Sequence, residues 1–509
     1  MIFLGFYLGY HDSNVAISVN GKVRYAKSER ITGIKHHRSD ISFIKEICTL
    51  WGIEKPDAIA FSDGNRNNLG SCELGELAKT VKPLPELWAD VPTFYIEHHY
   101  AHILSGWPIV PTEKVDVGIA IDGRGDNQVR TSIISRPGSS KPQILYYNKS
   151  RSIGSLLKQI GALMNLKGGV MDLPGKVMGA QAYGKIDYEY VKSIDIEILE
   201  KRIYDLIFEI PWNNNLPVLV PGFFNFDSLD FRDWLATIHH LIENYIVHLF
   251  ERYASREQSI IYSGGCAQNV VVNEKLAKNF PNLFIPPHCY DGGISLGCLE
   301  FLRLHYQEKP FSTQGFPYWQ NDFEQERPTH QTIKQVVELL QQGKIVGWFQ
   351  GRGEIGPRAL GHRSILMDAR NKDAKDIINR KIKHRESWRP YALSILDSMA
   401  SDWLELDKPS PYMLRSVLVK QAKREIIPAV VHFDGTSRAQ TVADDGSDEL
   451  TVFAELLSEF YRQTGIPILL NTSLNSGGSP IFSSSDQSLK FFNLVPMDAI
   501  CIGNKLFIK

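Results

Sequence analysis

Two histidines four residues apart, His98 and His102, follow an apolar run at residues 94–96. If a helix begins there, positions i and i+4 put both imidazoles on one face, where two nitrogens can reach one cation. A bare pair of this kind is more often a surface or capping feature, and His99 points elsewhere on such a helix. Two carboxylates sharpen the case. Asp122 ends an apolar strand before Gly123, and Asp291 ends an extended segment before Gly292 and Gly293. Strand ends of this type collect metal and phosphate sites in α/β folds, although aspartate also simply starts turns. Two imidazoles with two carboxylates suit a divalent transition metal better than magnesium alone. Gly264 and Gly265 follow a strand and precede an expected helix over residues 266–273. There a backbone can approach a phosphate, and a helix N-terminus offers N–H donors. Asn269 and Asn273, one turn apart, could reach the same ligand. His11 and Asp12 follow the first strand. An imidazole beside a carboxylate can act as a general base near neutral pH; a plain strand-end turn reads equally well.

A second group lies between residues 352 and 389, where eleven Lys or Arg face five acidic residues in a chain of formal net charge -1. Basic clusters are usually solvated helix faces. Here Arg358 and Arg363 stand among apolar and turn residues in the segment GPRALGHRS, residues 356–364. Half-buried arginines need anionic partners, and a guanidinium fits a phosphate with two parallel hydrogen bonds. The cluster lacks the interleaved aromatics of a single-stranded nucleic-acid groove.

The elements that must hold these residues can be traced along the chain. Residues 2–7 form an apolar strand, and residues 15–19 and 23–25 flank Asn20-Gly21, a strong hairpin signal because both residues tolerate positive φ. A helix is expected at 41–51 and a strand at 58–61. The run of strand, acidic turn and strand recurs at 115–121, 122–125 and 130–135, which suggests a duplicated unit. Residues 231–252 carry helical periodicity, followed by a strand at 259–262. Residues 307–330 are polar and hold Pro310, Pro317 and Pro328, the best linker candidate; a helix at 331–342 and a strand at 345–349 then open a second αβ domain. Such alternation means an α/β or α+β protein. A chain of 509 residues with 43% hydrophobic and 22% charged residues is ample for two or three globular domains. Its near-neutral charge argues against general attraction to nucleic acid or membrane surfaces. The six cysteines contain no C-x-x-C pair, which speaks against a zinc ribbon and fits a reducing cytoplasm. Residues 1–10 lack a basic leader and read as a buried strand rather than a signal peptide. No segment approaches the roughly 18 apolar residues of a membrane span.

Several motifs together resemble the O-carbamoyltransferases related to the nodulation, tobramycin and cephamycin enzymes. Residues 98–102, HHYAH, match that family's HHxAH; residues 264–273, GGCAQNVVVN, match GGxxxNxxxN; residues 175–180 with Tyr183-Gly184 resemble GKxMGLAxYG; and His11-Asp12 matches the HD pair. In the second half, residues 353–364 resemble GxxExGPRALGxRS, residues 385–390 resemble REx(F/W)RP, residues 432–442 resemble HxDGSxRxQTV, and residues 471–481 resemble NTSFNxxGEPI. Pro174 and Ser479 depart from the family pattern, where acidic residues are usual. The resemblance implies a duplicated actin-like domain over residues 1–320 and a YrdC-like α/β domain over residues 325–509. It implies iron(II) on His98, His102, Asp122 and Asp291, and a base at His11 with Asp12. Nucleotide contacts would come from Lys176, Gly264, Gly265, Asn269, Asn273, Gly292 and Gly293. Carbamoyl phosphate and ATP with magnesium would be held by Arg358, Arg363, Lys381, Arg385, Arg389, Arg438, Asn471, Ser473 and Asn475. The implied reaction forms carbamoyladenylate in the second domain and transfers the carbamoyl group to a small-molecule hydroxyl in the first. An actin-like small-molecule kinase, a tRNA threonylcarbamoyladenosine-type enzyme and a non-catalytic nucleotide sensor are the rival readings. The acceptor is not legible, although residues 185–230, with Trp212 and residues 223–226, are candidates to line its pocket. The oligomeric state, monomer or homodimer, is equally open.

Overall fold

A computed structural model of the chain describes all residues except 65–68, 150–151, 197–198, 200–222, 321–325 and 445–450. The chain forms two compact units, Met1–Val23 with Arg38–Ser312, and Arg24–His37 with Thr313–Lys509. The second unit therefore takes in a short piece of the N-terminal region that the sequence reading leaves in the first.

In the first unit, β1 (Ile2–Tyr7), β2 (Asn14–Val19), β3 (Lys22–Lys27), β4 (Ala58–Ser62), β5 (Ala78–Val81) and β6 (Thr93–Ile96) order as β3-β2-β1-β4-β6-β5. β1 runs antiparallel to β2 and parallel to β4, and β4 runs parallel to β6. Central strands of this kind are covered on both faces and so are apolar throughout; every residue of β1 beyond Ile2 is buried. Asn20 and Gly21 both adopt positive φ at the turn between β2 and β3, as the Asn-Gly signal requires. A second sheet repeats the plan: β7 (Val117–Ile121), β8 (Thr131–Ser135), β9 (Gln143–Asn148), β10 (Ile260–Ser263) and β11 (Leu283–Phe284) order as β11-β10-β7-β8-β9. β7 and β8 are antiparallel, as are β8 and β9, whereas β10 pairs parallel with both β7 and β11. Setting aside the added edge strand β5, both sheets follow one order and one set of directions. The duplication suggested by the repeated strand, turn, strand pattern is present.

The helices His98–Leu104 and Ile294–His305 lie against each other because Gly297 lets their backbones meet. A Cβ at Gly297 would stand 1.9 Å from the carbonyl oxygen of Ala101. This close approach sets the two histidines beside Asp291, which begins the turn Asp291–Gly293 leading into the second helix.

The second unit is built on one eight-stranded sheet. Its strands are β12 (Val346–Phe349), β13 (Arg363–Asp368), β14 (Ala392–Leu396), β15 (Arg415–Leu418), β16 (Thr436–Val442), β17 (Ile468–Ser473), β18 (Ala499–Ile502) and β19 (Lys505–Ile508). They order as β15-β16-β14-β17-β13-β12-β18-β19. Side chains alternate between two cores, as period-2 strands must: Trp348 and Leu366 enter one, Phe349, Ile365 and Met367 the other. Helices His330–Gln341 and Thr451–Thr464 cover the first face, and Ala400, Trp403, Phe491 and Phe492 from shorter helices cover the second. The whole is mixed α/β.

Candidate functional site

Helix His98–Leu104 begins where expected. Glu97 caps it, its carboxylate accepting the Tyr100 N–H at 2.8 Å, and His98, His99 and His102 are all buried. His98 Nε2 lies 3.7 Å from Asp122 Oδ2 and 3.7 Å from Asp291 Oδ1, and His102 Nε2 lies 3.3 Å from Asp291 Oδ1. One ligand atom from each of the four residues falls within 4.8 Å of every other. Both ring nitrogens of His98 and of His102 are buried without a hydrogen-bond partner, an arrangement that costs stability unless something else binds them. Each carboxylate is oriented by hydrogen bonds, Asp122 also accepting the Arg124 N–H at Oδ2 at 3.3 Å. Asp122 Oδ1 accepts the Gly265 N–H at 2.6 Å, and Asp291 Oδ2 accepts the Tyr7 hydroxyl at 2.6 Å. Two imidazoles and two oriented carboxylates fit a divalent transition-metal ion, with the outer shell already in place. The electrostatics agree: burial opposes a charge on His98, but Asp291 and Asp122 override it and push the imidazole up to about 9. Burial, with the charge of His98, pulls His102 down. Asp122 is driven well below the usual carboxylate range by its imidazole neighbours despite burial.

His11 stands at the edge of this cluster. Its Nδ1 is 2.8 Å from Asp12 Oδ2 and 3.7 Å from Asp291 Oδ2. With Nδ1–H donated to Asp12, Nε2 is the nitrogen that can take a proton. Burial lowers its basicity, but Asp291 and Asp12 outweigh that and raise it. Asp12 adopts φ 59°, a conformation uncommon outside glycine, asparagine and aspartate. Asn14 holds it there: its Nδ2 donates to the carbonyls of Asp12 and Asp291, and its Oδ1 accepts the Ser295 N–H. Tyr7 and Asn14 thus belong to the site, and sequence reading misses both. A hydroxyl at the end of an otherwise apolar strand was the available sign for Tyr7.

The glycine segment is more structural than its spacing suggests. Gly264 has φ 89°, and a Cβ there would meet the Ile121 carbonyl at 2.3 Å, so β7 and the turn after β10 touch directly. Residues Gly265–Gln268 form a 3-10 turn, and the helix begins only at Val270, not at residue 266. The reason is Asn269, whose Oδ1 accepts the N–H groups of Val271 and Val272 as an N-cap. Its Nδ2 meets His239 Nε2 at 3.0 Å, and His239 Nδ1 meets Glu243 at 2.7 Å. Asn273 donates to the Ala267 carbonyl. His239 and Glu243 are further residues that sequence reading misses, though a polar pair on the apolar stripe of helix Leu229–Tyr253 was a legible sign. Gly293 is packed by His288, whose carbonyl would stand 2.3 Å from an added Cβ, and Gly292 lies against the Tyr290 ring. Lys176, in helix Leu173–Ala180, is buried and donates to the Lys167 carbonyl. Pro174 sits in the first turn of that helix, where its missing N–H costs nothing. Trp212 lies outside the described residues. Phe223 and Phe224 pack edge-to-face on Phe231 and Trp234, a packing role rather than an open pocket wall.

In the second unit the basic residues divide into two kinds. Arg363 is fully buried, lies over the Phe349 ring at 3.5 Å, and donates to the carbonyls of Gln350, Gly351 and His362. Burial, against the pull of Glu354, brings its guanidinium down to about 9. Its terminal nitrogens hold backbone, so it serves the loop rather than a phosphate. Asn471 likewise donates to Ser394, Gln440 and the Ala359 carbonyl, and Glu354 accepts the Leu360 N–H at 2.6 Å. These shape the loop that carries Arg358. The other kind gathers around Arg438. Arg438 is pushed far below the usual arginine range by burial and by the charges of Arg358, Arg385 and Arg389, and its Nε is buried without a hydrogen bond. Arg385 rests over Tyr391 at 4.2 Å and donates to Asn379. Arg389 is 3.9 Å from Glu386. The buried lysine is Lys383, not Lys381: its Nζ donates to Asn475 Oδ1 at 2.7 Å and to the Asn475 and Ser473 carbonyls. Lys381 is only half-buried. Two residues along the wide π-helical turn Asn379–Lys383 reverse which lysine is buried. Ser473 Oγ donates to Asn475 Oδ1, and Asn475 Nδ2 to the Ser479 carbonyl. That last bond uses backbone, so serine in place of glutamate at 479 leaves it intact.

Residues 86–299 match the family model described as carbamoyltransferase N-terminus, and residues 337–509 match that described as carbamoyltransferase C-terminus. Nodulation protein NolNO of Sinorhizobium fredii is 32% identical over 302 residues, covering 55% of this chain and 44% of its own length. Nodulation protein NolO of Bradyrhizobium diazoefficiens is 33% identical over 297 residues, covering 53% and 54%. The chain spans about half the length of these curated relatives. Among solved structures, full-length HypF in the phosphate- and nucleotide-bound form is similar at 16% identity and a TM-score of 0.33, covering 61% of this chain and 56% of its own. A likeness that weak carries no argument here.

Proposed function

The chain belongs to the carbamoyltransferase family, and from that premise we propose that it is an ATP-dependent O-carbamoyltransferase acting on a hydroxyl-bearing small molecule. In the second unit, read as YrdC-like, water releases phosphate from carbamoyl phosphate, and the carbamate oxygen attacks the α-phosphorus of ATP, bound as its magnesium complex, to give carbamoyladenylate and pyrophosphate. The first, read as actin-like from its paired sheets, transfers the carbamoyl group to the acceptor oxygen, and AMP leaves. The observation that carries this reading is the convergence of Arg358, Arg385 and Arg389 on the buried Arg438, where their charges oppose one another. A polyanionic ligand would relieve that repulsion, and arginine forks match phosphate oxygens. Lys383 holds Ser473 and Asn475 in place.

A carbamoyl carbonyl is a weak electrophile, because its nitrogen donates into it, and attack by an alcohol needs both a good leaving group and a base. In the first unit His11 takes the acceptor's proton at Nε2, with Asp12 steadying the imidazolium that forms. His98, His102, Asp122 and Asp291 are the residues that would hold a divalent ion, iron(II) by the resemblance. When bound, such an ion supplies Lewis-acid polarisation of phosphate oxygens. Asn269 and the Gly264-Gly265 turn shape the backbone beside Asp122.

Purified protein incubated with ATP, magnesium and carbamoyl phosphate, without acceptor, tests the reading by mass spectrometry of the nucleotides. Carbamoyladenylate, or AMP and pyrophosphate that require carbamoyl phosphate, is the expected result. ADP alone, or nucleotide turnover indifferent to carbamoyl phosphate, would sink it.

A further inference from the structure

Residues 24–37 belong to the second unit, although they begin within β3, the second strand of the first hairpin. Tyr25 bridges to Gln320, which bridges in turn to Gly353. The segment then turns through the short helix Ser28–Thr32. At its centre is Arg30, 3% exposed. Its Nη2 donates to the Gly356 carbonyl at 2.9 Å and its Nη1 to the Ile481 carbonyl at 3.0 Å. Ser483 Oγ closes the contact by donating to the Arg30 carbonyl. Glu29 is directed elsewhere: it pairs with Lys27 at 2.9 Å and accepts the His36 N–H at 2.9 Å, and its nearest oxygen stands 3.9 Å from Arg30 Nε.

The two carbonyls that Arg30 holds lie on the two loops that carry the anion site. Gly356 precedes Arg358 by two residues, and Ile481 closes the loop that begins with Ser473 and Asn475. That second loop is itself folded back, with Phe482 N–H donating to the Leu474 carbonyl at 3.2 Å and Asn475 Nδ2 to the Ser479 carbonyl at 2.6 Å. A buried cation bonded to neutral carbonyls, beside a pocket already rich in cations, is an expensive way to fill space, and an apolar side chain of like volume would pack at lower cost. A planar guanidinium does what an apolar chain cannot, because it fixes two separate backbone segments at one spacing.

We propose that Arg30 is a positioning residue of the second unit's anion site, setting the separation between the Arg358 loop and the Ser473–Asn475 loop. The inference rests on reading that site as one that takes a polyphosphate. Lys35 of the same segment adds to the positive charge that bears on Lys383.

The test uses the full chain and pyrophosphate as probe. In Arg30→Met, pyrophosphate affinity measured by calorimetry should fall about ten- to hundredfold, the loss of two charge-assisted hydrogen bonds. The KM for carbamoyl phosphate should rise in parallel. Arg30→Lys keeps the charge but not the fork, so it should stay at least about tenfold weak. Wild-type affinity in either variant would overturn the proposal. Should Arg30→Met fail to fold, Ser483→Ala should show the same loss at about two- to tenfold, and unchanged affinity there would overturn it equally. A wild-type chain that binds no pyrophosphate would remove the anion-site reading and this inference with it. A chain whose pyrophosphate affinity depends on Arg30 but that makes no carbamoyladenylate would sink the proposed reaction and leave the role of Arg30 standing.

Discussion

At the scale of single residues, the His98–His102–Asp122–Asp291 cluster makes its predictions through protons and through its supports. Metal-free protein holds His98 with its pKa raised to about 9, against about 6.5 in the unfolded chain. A raised base contributes stability that is full below pH 6.5 and lost as pH climbs through 9. Thermal melts of chelator-treated protein should therefore fall in midpoint between pH 6.5 and 9.5, whereas metal-loaded protein, with its imidazoles already neutral, should lose less. Tyr7→Phe removes the hydroxyl that orients Asp291. It should weaken metal binding about 10–100-fold, read by competition with a chromogenic chelator. In the second unit, Lys383→Met frees Ser473 and Asn475 from the Nζ that holds them and should weaken pyrophosphate binding about tenfold, while Lys381→Met should change it little. The four clustered residues were legible as a set, a histidine pair at helical spacing and two aspartates before glycines at strand ends, although each alone has an ordinary explanation. Tyr7, Asn14 and His239 left only faint signs, because a hydroxyl, an amide or one imidazole in an apolar run is ordinary until its partner, hundreds of residues away for Tyr7 and Asn14, is known. The choice between Lys381 and Lys383 turned on helical phase within a single turn, which composition does not carry.

At the scale of elements, the helices His98–Leu104 and Ile294–His305 depend on contact at Gly297. Gly297→Ala places a methyl against the Ala101 carbonyl and should destabilise by about 1–3 kcal/mol or more. Because the same contact seats the histidines beside Asp291, metal content should drop with it; a variant that melts early yet keeps full metal would separate the two roles. Most strands and long helices could be read from periodicity alone, since β1, β7 and helix Leu229–Tyr253 carry strong patterns. The start of helix Val270–Asn279 was misplaced, because an N-cap asparagine and a helical asparagine look alike until the 3-10 turn before it is seen. The eight-stranded order of the second unit was beyond reach, because long-range pairing leaves no local trace.

At the scale of the whole molecule, two chemistries are assigned to two units, and they should come apart. His11→Asn should slow carbamoyl transfer about 10²–10⁴-fold and leave carbamoyladenylate formation near wild type. Arg385→Ala should do the reverse, with transfer recovered when chemically made carbamoyladenylate is supplied. Loss of both half-reactions in either variant would show that the division is wrong. The chain's route adds a consequence for how it is made. Residues 24–37 leave the ribosome well before the rest of the unit they complete, Thr313–Lys509. During synthesis they must wait for the whole intervening first unit, and more, before their carbonyl partners at Gly356 and Ile481 exist. The first unit can close around this gap as its own last strands emerge, but the second cannot finish until residue 481 has followed. Nascent chains stalled before residue 480 should therefore leave Arg30 open to solvent, a state that chaperones meet and the finished protein does not.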